Sequence, residues 1–168
     1  MAGVSKTLTW LQYAQHFVCF LGVLISAYAL ILEFFLEHDP GYRPFCDISA
    51  TVSCSKALTS RWGRGLGLIA PLLGENHWLN LRNPVYGLMM YSAFFILSLL
   101  QSIPLTTIAI WMAVFCNLTS VYLAYILYFH LYTFCLVCVS TYVVNFLLLP
   151  LFILKRRTLR RLEQKKRK

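Results

Sequence analysis

Residues 134–154 read FCLVCVSTYVVNFLLLPLFIL, twenty-one positions with no charged side chain. The hydrocarbon core of a bilayer is about 30 Å thick and takes roughly 20 apolar residues as helix. The stretch therefore reads as a membrane span that carries a C-x-x-C pair, Cys135 and Cys138, at its head. Three more apolar runs precede it: Trp10 to Leu32, about Val85 to Leu100, and about Leu105 to Leu131. Pro104 suits a helix start after the break at Gln101–Ile103, and Tyr132-Thr133 falls where the third and fourth runs must turn. The first run is too long for the apolar part of a cleavable leader, and no small-residue cleavage site follows it. The expected fold is an all-α membrane protein. It is a four-transmembrane-helix bundle forming a single integral-membrane domain over residues 1–168, with spans at about 10–32, 85–100, 105–131 and 134–154.

Composition agrees. Of 168 residues 59% are hydrophobic and 12% charged, about half the charged share of a soluble domain. The net charge of +9 is concentrated: nine of the fifteen Lys and Arg residues lie in the segment 155–168, against one acid, Glu163. No basic face remains elsewhere, so nucleic acid is not a partner. Six cysteines in so apolar a chain do not make a secreted disulfide scaffold either. Most of the remaining charges fall in the polar segment 33–83, between the first and second spans. Positive charge concentrates on the cytoplasmic side of membrane proteins. The basic tail 155–168 is therefore expected in the cytoplasm, and with four spans the N-terminus as well. The long loop and the turn before Cys135 then share the opposite, lumenal side.

That topology decides which cysteines can meet. Cys46 and Cys54 lie in the loop, and Cys135 and Cys138 at the lumenal head of the fourth span, in an oxidising compartment. Cys19 and Cys116 fall inside spans and read as apolar packing. Positions i and i+3 share a helix face, so Cys135 and Cys138 can bond to each other. A helix N-terminus favours the thiolate, the reactive form. A second pair in the same compartment supplies what a dithiol relay needs. His16, His38, His77 and His130 are scattered, so zinc is not expected. Cys138 lies about 4.5 Å deeper than Cys135. Cys135 is thus placed to exchange with the loop, and Cys138 to face a lipid-soluble substrate.

The motifs resemble one family closely. They are Cys46-Asp47, Cys54-Ser55, the run from Ser60 through Arg61, Trp62, Gly63, Arg64, Gly65, Leu66 and Gly67 to Leu68, Asn83 with Tyr86-Gly87, Tyr122 to Phe129, and Phe134 to Tyr142. In order and spacing, over about residues 10–154, they are similar to the vitamin K epoxide reductase family. The resemblance implies a multi-pass protein of the endoplasmic reticulum membrane. It would reduce vitamin K epoxide to the quinone, and the quinone to the hydroquinone, with no tightly bound cofactor. Electrons would come from a thioredoxin-like lumenal oxidoreductase. Position by position, Cys46 and Cys54 would be the shuttle pair, Cys135 the partner of Cys54, and Cys138 the substrate-facing thiol. Asn83 and Tyr142 would hydrogen-bond the quinone oxygens. Coumarin-type inhibitors would occupy the same pocket, although Leu58 and Leu66 stand where mammalian members carry phenylalanine. Lys165 and Lys166 resemble a dilysine retrieval signal.

Three other functions use the same features. A quinone-dependent, disulfide-forming membrane oxidase would share the thiol chemistry and lack epoxide turnover. A non-enzymatic four-span adaptor would hold only structural disulfides. A transporter is disfavoured because the spans carry almost no ionisable groups. Asn117-Leu118-Thr119 matches a glycosylation sequon, but its place in mid-span removes it from the glycosylation machinery.

Overall fold

The computed structural model describes residues 2–39 and 41–167. Lys168 and the side chain of Lys166, both in the segment that resembles a retrieval signal, lie outside them. Four long helices dominate: α1 (Ala2–His38), α4 (Asn83–Leu99), α5 (Ile103–Phe129) and α6 (Leu136–Arg167). Between α1 and α4 the loop forms two short helices, α2 (Cys54–Leu58) and α3 (Ile69–Leu73), with 3-10 turns at Arg61–Gly63 and Gly65–Gly67. Among the described residues there are no strands, only isolated bridges such as Val52 with Phe134 and Arg64 with Arg82. Pro84 and Pro104 sit in the first turns of α4 and α5, where a missing N–H costs nothing. Tyr132, at φ 48°, makes the turn from α5 to α6.

Among the described residues three helices are long and apolar enough to cross a bilayer: Lys6–His38, Ile103–Phe129 and Leu136–Lys165. The fourth, α4, is apolar but has 17 residues, about 25 Å of helix. The expectation of four full-length spans is thus met in three. Two helices overrun their expected ends. α1 continues past Leu32 to His38, and α6 continues through the basic segment to Arg167. Lys155 explains part of the second extension. It is fully buried, and its Nζ donates to the Ser98 carbonyl at 2.6 Å. That carbonyl belongs to the last turn of α4, which lacks helical partners. The first residue of the expected tail is thus a cap for the short helix.

α1 packs against α4 and α6, and α5 packs against α6, whereas α4 and α5 barely touch. Small residues let α1 approach α4: a Cβ on Gly22 would lie 2.6 Å from the Tyr91 ring. Within a bilayer such close packing holds helices together where hydrophobic burial cannot. Gly22→Leu therefore separates α1 from α4, and a thermal-shift or protease assay in detergent should detect no folded protein. Gly22→Ala, with one methyl group to accommodate, should retain a destabilised fold.

Candidate active site

The loop reaches the head of α6 through backbone hydrogen bonds. Phe134 N–H donates to the Thr51 carbonyl at 2.7 Å, and Ser53 N–H donates to the Phe134 carbonyl at 3.1 Å. These rungs set the residue before Cys54 against the residue before Cys135. Cys46, Cys54 and Cys135 lie in one buried cluster with Ala29, Leu32, Ala57, Leu58 and Val137, and Cys138 packs against its edge. Cys46 is bonded to Cys54, and Cys135 to Cys138. The four cysteines predicted to act together are therefore together, while Cys19 and Cys116 are free thiols.

Two local devices fix the sulfurs. At the head of α6, Cys138 N–H points at Cys135 Sγ at 3.2 Å, so the sulfur stands where a helix-capping oxygen would and negative charge on it is favoured. At the head of α2, Asp47 Oδ1 accepts from the N–H groups of Cys54 (2.6 Å) and Ser55 (3.1 Å), and Oδ2 accepts from the Ser55 hydroxyl. Cys46, Asp47 and Cys54 bring their donor atoms within 4.8 Å of one another. The two sulfurs are bonded and the carboxylate is occupied, so the cluster is a disulfide with its clamp.

Burial pushes the Asp47 carboxyl up, but hydrogen bonds from Ser55, Ser53 and the Cys54 N–H outweigh it and hold the group below its ordinary range. A carboxylate lowered by folding stabilises the fold above its unfolded value, about 4, and that contribution is lost as pH falls through the folded value. Protease cleavage within residues 44–56 should therefore be constant above about pH 5 and accelerate below about pH 4. Asp47→Asn should raise cleavage at neutral pH and flatten this acid dependence.

Beside the cysteines lies a cavity of about 420 Å³, walled by all four long helices and the loop. The volume suits a small-molecule ligand. Cys138 and Tyr142 line it from α6, and Leu58, Trp62, Leu66 and Asn83 from the loop side. Cys135 and Cys54 are not on its wall. Asn83 is engaged with the protein: its Nδ2 donates to the Trp62 carbonyl (2.7 Å) and its Oδ1 accepts from Leu66 N–H (2.9 Å). It thereby pins a segment in which Gly65, Leu66 and Gly67 all have positive φ. For Leu66 that conformation costs about 1 kcal/mol. One N–H of Asn83 remains for a ligand. Glu37 pairs with Arg64 and Arg82, tying the same loop to α1.

A polar node deeper in the cavity was not expected from the sequence. Tyr91 OH donates to Asn145 Oδ1 (3.0 Å), Asn145 Nδ2 donates to Ser120 Oγ (2.9 Å), and Asn117 Nδ2 donates to the Asn145 carbonyl (2.9 Å). The signal was available. Asn145 falls three residues after Tyr142 and seven after Cys138, hence on the same helix face. Asn117, the residue of the sequon, faces this node.

A helical, membrane-compatible bundle in which two disulfide pairs meet beside an apolar cavity is built as a thiol–disulfide oxidoreductase. Residues 14–153 match the family model described as vitamin K epoxide reductase family. The chain is 38% identical over 128 residues to vitamin K epoxide reductase complex subunit 1 of Mus musculus, covering 76% of this chain and 80% of the relative. The Rattus norvegicus protein of the same name matches with the same identity and coverage. The chain belongs to the vitamin K epoxide reductase family.

Proposed function

We propose that this protein reduces vitamin K 2,3-epoxide to the quinone and the quinone to the hydroquinone, in the membrane of the endoplasmic reticulum. The observation that carries the reading is the Ser53–Phe134 rung, which sets the shuttle pair against Cys135 while Cys138 lines the cavity. α4 serves as the fourth span. The termini are cytoplasmic, and the loop and both disulfides are lumenal.

Reduction at Cys46–Cys54 yields a Cys54 thiolate. It attacks Cys135, forms the Cys54–Cys135 disulfide and releases Cys138 as thiolate beside the substrate. Exchange of this kind needs a thiolate, a reachable sulfur and a good leaving thiol. Cys138 attacks the bound ring system. The Cys46 thiolate then attacks Cys54, re-forming Cys46–Cys54 and releasing Cys135 as thiolate. Cys135 attacks the sulfur of the Cys138 adduct, re-forming Cys135–Cys138 and leaving the bond's electron pair on the substrate, which takes up a proton. Each turnover moves two electrons and two protons. The epoxide oxygen leaves as water, or the quinone becomes the hydroquinone. Tyr142 and the free N–H of Asn83 donate to the substrate oxygens.

The substrate arrives from the bilayer. Phe115 of α5 lines the cavity and is also 60% exposed, so the cavity opens at the loose seam between α4 and α5. Leu58 and Leu66 in the wall offer a coumarin an aliphatic surface in place of an aromatic one.

The deciding experiment is purified protein with dithiothreitol and vitamin K epoxide. Stoichiometric loss of epoxide, with appearance of quinone, is expected. Persistence of the epoxide while the protein remains folded would remove the reading.

A further inference from the structure

Each turnover leaves a disulfide behind, so electrons must reach the protein from outside. Cys54 and Cys135 are fully buried, and Cys138 faces the cavity. Cys46 keeps 8% exposure and lies between the exposed Phe45 and the partly exposed Asp47, so of the loop pair it is the one nearer the surface. Attack there expels Cys54 as the leaving thiolate, already beside Cys135, so the electrons move inward.

The surface around Cys46 is unusual. Phe45, one residue before it, is 97% exposed, and Ile48, two residues after it, is 70% exposed. Single exposed apolar side chains are ordinary on any protein; position marks these two. They stand on a fixed turn. Asp47 N–H donates to the buried Pro44's carbonyl (3.0 Å), and Ile48 N–H donates to the Val52 carbonyl (3.0 Å). Phe45 is thereby held outward next to the sulfur. Exposed Arg43 lies two residues from Phe45, and exposed Lys56 two from Cys54. Apolar side chains flanked by charged ones are the anatomy of a transient protein interface.

Resting on the relay described above, we propose that Phe45 and Ile48 are the docking rim for a protein dithiol, a thioredoxin-fold reductant whose reactive sulfur lies in an apolar surround. A bilayer pressed against the same residues would supply no electrons. The partner thiolate attacks Cys46 Sγ, forming a mixed disulfide and breaking Cys46–Cys54. The partner's second thiol then displaces Cys46, leaving the partner oxidised and the Cys46/Cys54 pair reduced by two electrons.

The test uses the full chain carrying Phe45→Ser and Ile48→Ser together. Epoxide turnover is driven either by reduced protein disulfide isomerase, at a series of concentrations, or by dithiothreitol. The KM for the protein reductant should rise roughly tenfold, the loss expected when apolar anchors of an interface are removed. The dithiothreitol-driven rate should be unchanged, which also shows that the variant folds. An unchanged KM for the protein reductant overturns the docking rim. So does an equal loss with both reductants, because the two residues would then serve the fold or the bilayer. If dithiothreitol consumes no epoxide even in the unaltered chain, the relay reading fails and the rim falls with it.

Discussion

Replacing Cys138 by serine should abolish turnover of both epoxide and quinone and leave Cys54 bonded to Cys135. The loss should exceed about 10³-fold, as expected when the nucleophile itself is removed. Cys135 would then have no neighbour to return to. Cys135 lies in the same buried cluster as Cys54, and the Ser53–Phe134 rung sets the two segments side by side. Alkylation of free thiols followed by mass spectrometry without reduction decides the point. Cys135 found only as a free thiol, or bonded only to Cys46, would contradict the relay. Cys46→Ala is the complementary variant: turnover with a protein reductant should stop, while dithiothreitol should sustain much of it.

Asn83→Ala should lower kcat/KM by on the order of 100-fold. The reason lies as much in the loop as in the substrate. The change strands the Trp62 carbonyl and the Leu66 N–H. An unsatisfied buried group costs about 1–3 kcal/mol, and two of them amount to about 3 kcal/mol, roughly two orders of magnitude in rate. Protease cleavage between Ser60 and Gly67 should rise in parallel. Asn83→Asp keeps the acceptor for Leu66 N–H and should leave the loop better protected than Asn83→Ala does. Lost turnover with undisturbed loop protection would mean that Asn83 acts on the substrate alone.

The pairing of the cysteines was more legible in the sequence than the supports that hold them. Cysteine spacing and apolar periodicity are local properties, so the pairing of Cys135 with Cys138 and the side of the bundle they share could be read from the chain. The engagement of Asn83 could not. Its partners lie 21 and 17 residues earlier, in a segment whose path depends on positive φ at Leu66, a conformation that no composition rule assigns to leucine. Asp47 was visible as a neighbour of Cys46, but its clamp on Cys54 needs the loop to close over seven residues. Lys155 was read with its basic neighbours as part of a cytoplasmic tail. Tertiary structure separates it from them by giving it the open carbonyls of α4.

The short fourth helix has a consequence for where the protein can live. A bilayer thicker than a helix must thin around it or leave its ends in hydrocarbon, at a cost of fractions of a kcal/mol per Å. α4 can extend its reach little, because it starts at Asn83, which is fastened to the loop, and ends at carbonyls held by Lys155. Its length of about 25 Å lies close to the roughly 27 Å core of endoplasmic reticulum membranes and well below the 32–33 Å of a sterol-rich plasma membrane. On the proposed reading of α4 as a span, membrane thickness would favour thin membranes over thick ones, a physical bias that needs no receptor.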